Sequence, residues 1–168
     1  MGAWSHEIFG SDDAGDMSDA IGDFIGLSNW TDDGEFAEYV VCSPDRWNSE
    51  FATSVRDGLE KHSASFVEFV AAGYKIRRKA FKDLTEMCRY DTEDTFGLVL
   101  PALYMNSGAV MPKEVLADGI RAIEANLTDE ERLEDWNDGG TGRKRMLRSF
   151  RTKLKSYSKS LHRRVKIT

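Results

Sequence analysis

The chain of 168 residues has two cysteines, Cys42 and Cys88, which stand 46 positions apart. With no Cys-x-x-Cys pair, neither a disulfide framework nor a thiolate zinc cage can be built, and the expectation is two reduced thiols in a cytoplasmic protein. Histidine is almost as scarce. His6, His62 and His162 are isolated from one another and from cysteine, and His6-Glu7 lacks the second histidine of a zinc-helix motif. The sequence also lacks a Gly-x-Ser-x-Gly elbow, a dinucleotide fingerprint and a Walker loop. Gly139-Gly-Thr-Gly-Arg-Lys144 has the composition of a phosphate cradle without its order. No run approaches 18 apolar residues, and the opening residues have neither a basic nor an apolar signal region, so no membrane span or secretion signal is expected. What survives these exclusions is a non-enzymatic protein without cofactor or metal. An enzyme could enter only through carboxylates gathered by folding, which leave no local signature.

Charge of one sign is missing from each end. Residues 1–45 contain eleven acids and no Lys or Arg, and residues 141–168 contain eleven Lys and Arg and no acid. The chain carries 23 bases and 29 acids, so residues 1–140 hold 12 bases and all 29 acids, a balance of −17. In the basic segment Leu147, Phe150, Leu154, Tyr157 and Leu161 recur at steps of 3, 4, 3 and 4, one apolar stripe on a helix. The organisation expected is an acidic helical body, 1–140, and a basic amphipathic helix, 141–168, packed on the same domain through Leu147, Phe150, Leu154 and Leu161.

Only three prolines and few β-branched runs interrupt the chain, which favours an all-α single domain of six to eight helices. Trp4, Ile8 and Phe9 form an apolar plug. A helix follows from about 13 to 27, buried through Met17, Ile21, Phe24 and Ile25 and weakened by Gly15, Gly22 and Gly26. Asp12, Asp13, Asp16, Asp19 and Asp23 lack the ligand order of a calcium loop and read as a solvated face spread over several sides of that helix. Residues 36–42 fit a helix or a strand equally. Ser43-Pro44 reads as a helix start, with Trp47, Phe51, Val55 and Leu59 as its apolar row. A long helix from Ser63 to Tyr90, broken near Gly73, carries a second basic block: Lys75, Arg77, Arg78, Lys79 and Lys82. Asp91 or Thr92 caps an element around 96–105 that is apolar nearly all round and therefore central, with Pro101 as a kink or a true start. Pro112 opens the next helix, Thr128 to Glu131 reads as a capping box, and 138–142 as a flexible joint.

The opening, Met-Gly-Ala-Trp-Ser-His-Glu-Ile-Phe-Gly-Ser-Asp-Asp-Ala-Gly-Asp, resembles the start of the domain-of-unknown-function 4259 family of small bacterial and phage-type proteins. The likeness covers Gly2, Ala3, Trp4, Phe9, Asp12, Ala14 and Asp16, while Ser5 and Glu7 replace glycines usual in the family. The stretch from Val115 to Leu154 is similar in its helix, acidic turn, Trp136 and basic Leu-rich helix. The resemblance implies a small, mostly helical cytosolic domain and carries over no activity and no catalytic residue.

Two functions follow from the charge map. In the first, the acidic body covers a basic surface on a protein target, as an inhibitor, an immunity-type protein or a phage anti-defence factor would. Its contacts are Asp12, Asp13, Asp16, Asp19 and Asp23 in the head and Glu130, Glu131, Glu134 and Asp135 in a short acidic helix. In the second, nucleic acid binds the basic segment through Arg143, Lys144, Arg145, Arg148, Arg151, Lys155, Arg163 and Arg164. A membrane role is opposed by the net charge of −6.

Overall fold

A computed structural model describes residues 8, 12–27, 36, 47–134 and 136–167; side chains from 160 onward, and those of Asp12, Asn137, Asp138 and Ser158, are outside the description. The described residues form eight α-helices and no strand: α1 (Asp12–Phe24), α2 (Ser49–Lys61), α3 (Ser63–Ala71), α4 (Lys82–Arg89), α5 (Thr95–Ser107), α6 (Lys113–Thr128), α7 (Glu130–Glu134) and α8 (Thr141–Ile167). The architecture is all-α, within the helix count expected.

Helix α5 is the hub. It is apolar on every side, so no face can be left to water. Helices α1, α2, α6 and α8 pack around it, and α6 in turn carries α3, α7 and α8. Eleven of its 13 residues are buried. The α5–α6 crossing is close because two glycines meet it. A Cβ on Gly97 would lie 2.6 Å from the Ala122 Cβ, and one on Gly119 would lie 2.8 Å from Pro101 Cγ and 3.1 Å from Leu154 Cδ2. Pro101 lies within the helix rather than at its start. Asp91 is the cap: its carboxylate accepts the Thr95 and Phe96 amides at 3.0 and 3.1 Å.

Leu147, Phe150 and Leu154 of α8 are fully buried in the main core. Tyr157 is half-buried, and its hydroxyl donates to the Ala109 carbonyl at 2.5 Å and to that of Tyr104 at 3.3 Å. The Leu161 side chain, Trp4, Phe9 and the rest of the head except Ile8, which is buried, lie outside the description. So do Cys42 and all of 37–42.

Four local expectations are corrected. Helix α2 starts at Ser49, not at Pro44, because Asn48 accepts the Phe51 amide at 2.7 Å and caps it. Trp47 precedes the helix and packs edge-on against Phe51 instead of continuing its row. Residues 43–46 are outside the description. Thr128 ends α6, its hydroxyl bonded back to Glu124 and Ala125, and Asp129 performs the capping by accepting the Arg132 amide at 3.2 Å. The joint before α8 has regular structure, and Thr141 and Gly142 already belong to α8. It is a 3-10 turn, Asn137–Gly140, ending at a buried Gly140 with φ 85°, where a Cβ would sit 2.5 Å from the Leu133 carbonyl. The break at Gly73 is confirmed and is wide: residues 75–78 form neither helix nor strand, and the basic block continues into a 3-10 turn, Lys79–Phe81, and the start of α4.

Candidate functional site

Helix α1 buries Ala14, Met17, Ser18 and Ile21, which turns its other side outward over α4. Asp16, Asp19 and Asp23 recur there at steps of 3 and 4, so they share a face rather than spreading around the helix. With Asp13 they line one wall of a hollow of about 580 Å³. Asp83 and Glu86 of α4 line the opposite wall, and Asp91 closes one end. Met17, Ala20 and Met87 supply apolar lining, and Tyr90 stands at the margin, 77% exposed. Seven carboxylates from three segments thus surround an apolar strip. Asp91 is committed to capping α5. Asp13, Asp16, Asp23, Asp83 and Glu86 form no ion pair among the described residues. The acids are strung along the groove and do not meet at a point. Among the described residues no three His, Cys, Asp or Glu side chains are grouped so as to hold a metal ion.

The other acids expected at this surface are elsewhere. Glu130, Glu131 and Glu134 are exposed on α7, which packs on α6 and α8 and lines no part of the groove. The Asp12 side chain and Asp135 are outside the description. Asp83 and Glu86 were not anticipated, although they sit at a step of 3 on one helix face; their position opposite Asp16 and Asp23 is created by tertiary packing.

A second polar cluster differs in every respect. Gly73 and Tyr74 both adopt positive φ, 62° and 66°, and Asp94 does so at 54°. Left-handed backbone costs a side-chain-bearing residue on the order of 1–2 kcal/mol, so something must hold Tyr74 and Asp94 there. Arg121 of α6 does. Its Nη2 donates to the Tyr74 hydroxyl at 2.8 Å, its Nε to Asp118 Oδ1 at 2.9 Å and its Nη1 to Asp94 Oδ1 at 3.0 Å. The Tyr74 hydroxyl in turn donates to the other Asp118 oxygen, and its ring stacks on Phe69 and meets Phe96 edge-on. Burial first, and the Asp118 carboxylate second, push the Tyr74 hydroxyl well above its ordinary value, so it keeps its proton at physiological pH. For Arg121, desolvation is the largest single influence and would lower the value, but the hydrogen bonds and charges of Asp118, Tyr74 and Asp94 together outweigh it and the guanidinium is held charged. Each of the three guanidinium nitrogens bonds within the cluster, which makes this a clasp between the 73–74 turn, the 91–94 turn and α6. Nearby, burial, then Asp91 and Asp118, push the Cys88 thiol up to about 12, so it is no nucleophile at neutral pH.

No protein-family model, curated protein or solved structure matches the chain. The site must therefore be read from its own chemistry. Of the residues that carry the head resemblance, Gly2, Ala3, Trp4 and Phe9 are outside the description, and Asp12, Ala14 and Asp16 lie on α1.

The basic residues of α8 divide by face. Arg151 is turned toward α6 and pairs with Glu124, and the Arg143 guanidinium lies 4.5 Å from the ring centroid of Trp136. Arg145, Arg148 and Lys155 are exposed, Lys144 is half-buried, and the side chains of Arg163 and Arg164 are outside the description. Trp136 is 38% exposed beneath Arg143. No helix among the described residues is long and apolar enough to cross a membrane.

Proposed function

We propose that the protein is a non-enzymatic binding factor whose groove between α1 and α4 takes a cationic amphipathic segment of a target protein. It would act as an inhibitor, an immunity-type protein or a phage anti-defence factor does when it covers a basic site. The observation that carries this reading is the composition of the groove: Asp13, Asp16 and Asp23 on one wall and Asp83 and Glu86 on the other, in no ion pair among the described residues, with an apolar strip between them. A basic amphipathic helix is complementary on both counts, because its apolar row fits the strip while its Lys and Arg reach the walls. The spacing suits a chain of separate charges better than a single ion, and the acids would speed encounter with a basic surface in a salt-dependent way. Tyr90 and Met87 supply adaptable apolar area at the margin.

The test uses a synthetic 18-residue Lys/Leu peptide with Leu at helical spacing, and a scrambled peptide of the same composition. Isothermal titration at about 50 mM salt should show binding of the amphipathic peptide that weakens steeply by about 200 mM. The variant Asp16→Asn/Asp23→Asn/Asp83→Asn/Glu86→Gln should lose at least tenfold in affinity. Equal binding by this variant, or equal binding of the scrambled peptide, would remove the groove from the reading. Target identity then follows from captures that the wild type makes and the variant does not.

A further inference from the structure

The rotation of α8 about its own axis is fixed by the burial of Leu147, Phe150 and Leu154. At about 100° per residue, the opposite side of the helix carries positions 145, 148, 152, 155 and 159, again at steps of 3, 4, 3 and 4. These five directions fall within an arc of about 80°, and the positions span about 21 Å along the axis. They are occupied by Arg145, Arg148, Thr152, Lys155 and Lys159, all exposed. The four cations form no ion pair among the described residues, in contrast to Arg151 one side away, which is paired with Glu124. An intramolecular role in neutralising the acidic body therefore accounts for Arg151 and leaves this ridge unexplained. Lysine and arginine kept solvated and in line on a convex helix are arranged to meet a line of negative charge outside the molecule.

We propose that this ridge docks on the phosphate backbone of double-stranded DNA. This goes beyond the groove reading and does not depend on it. A lone helix face is convex and about 10–12 Å across with its side chains. The major groove of B-DNA, about 12 Å wide, admits such a shape with phosphates along both margins. A-form RNA closes its major groove to side chains. Single strands call for a concave channel with exposed stacking rings, whereas the aromatic residues on this helix, Phe150 and Tyr157, face the body. The net charge of −6 does not forbid the contact, because at about 0.1 M salt the field of the acidic groove is screened over about 10 Å. The contact is one of backbone and shape: Arg145 and Arg148 supply forked donors, Lys155 and Lys159 point charges.

Fluorescence anisotropy of a labelled 20-bp DNA duplex, titrated with the full-length protein, tests the assignment. Four phosphate contacts imply a slope of log affinity against log salt near −3.6, or about a 150-fold loss between 50 and 200 mM salt. The variant Arg145→Glu/Arg148→Glu/Lys155→Glu/Lys159→Glu should lose at least 100-fold in affinity at 50 mM salt while melting as the wild type does, since all four side chains are exposed. The groove variant of the preceding section should bind the duplex as the wild type does, which keeps the failure of one reading distinct from failure of the other. Retained binding in the ridge variant would overturn the proposal. So would equal affinity for a 20-bp RNA duplex or for heparin of matched charge, which would show a polyanion surface without selection for B-form DNA. A salt-reversible dimer by analytical ultracentrifugation, with no DNA complex, would likewise overturn it and assign the ridge to the acidic groove of a second copy.

Discussion

The groove and the clasp are both gatherings of carboxylates on helix faces, and they serve opposite ends. In the clasp, Asp118 and Asp94 are met by a three-pronged guanidinium and a phenol, and the Asp118 side chain is only 9% exposed. In the groove, Asp13, Asp16, Asp23, Asp83 and Glu86 face solvent and one another across an apolar strip. Charge that is paired and partly dehydrated contributes to holding the fold, and losing one partner strands the other. Charge that is solvated and unpaired contributes little to folding and opposes it slightly through repulsion. Net composition therefore says little about role: a balance of −17 over residues 1–140 includes acids of both kinds, and only the partners tell them apart.

The largest effect that sharpens this contrast comes from beneath the clasp. Leu154 is fully buried and reaches Gly119, the neighbour of Asp118. Leu154→Asp places an unpaired charge there and should lower stability by roughly 2–5 kcal/mol, measured by urea unfolding. An unchanged midpoint would show that α8 does not depend on this contact. Next is the clasp itself. Arg121→Ala leaves Asp118 and the Tyr74 hydroxyl without their cation and releases the two left-handed residues. Arg121 is half exposed, so the cost expected is about 1–3 kcal/mol rather than the larger figure for a fully buried pair. A double-mutant cycle with Tyr74→Phe should show coupling, because both act through Asp118. Additive losses would show that the three groups are not one unit. In the groove, Asp16→Asn/Asp23→Asn/Asp83→Asn/Glu86→Gln should move stability by no more than about 0.5 kcal/mol, upward if at all. A substantial loss would mean that these acids are structural after all, and the contrast would fail.

The same contrast explains what could be read from the sequence. The stripe on α8 and the all-apolar α5 were legible because each is periodic or uniform within one helix, and burial follows such patterns directly. The wall formed by Asp16, Asp19 and Asp23 was also present as a helical step, but its meaning depended on Asp83 and Glu86, some 60 residues on and brought opposite by packing. The clasp was illegible. Tyr74, Asp94, Asp118 and Arg121 lie on three segments, and no local signal marks Tyr74 as left-handed, since a tyrosine there is disfavoured and is held only by its tertiary partners. Caps were ambiguous for a simpler reason. Ser43, Asn48, Thr128 and Asp129 are all competent caps, and the choice among neighbours is made by where the following helix packs.

The smallest effect concerns His62, between α2 and α3, whose ring lies edge-on to Phe24. Desolvation first, and Lys61 second, lower its pKa from the ordinary 6.5. Asp23 and Asp83 line the same hollow of about 380 Å³ as His62. The folded state thus binds a proton less readily than the unfolded chain. Stability due to this residue is fully present above pH 6.5 and is lost as the pH falls through the lower folded value. Because the ring is only partly buried, screening keeps the loss below that of Arg121→Ala. His62→Gln should therefore flatten the decline in melting temperature between pH 7 and pH 5 without changing its value at pH 8 by more than a degree or two, on the order expected for a tolerated surface change. An unaltered slope would show that the acid sensitivity does not come from His62.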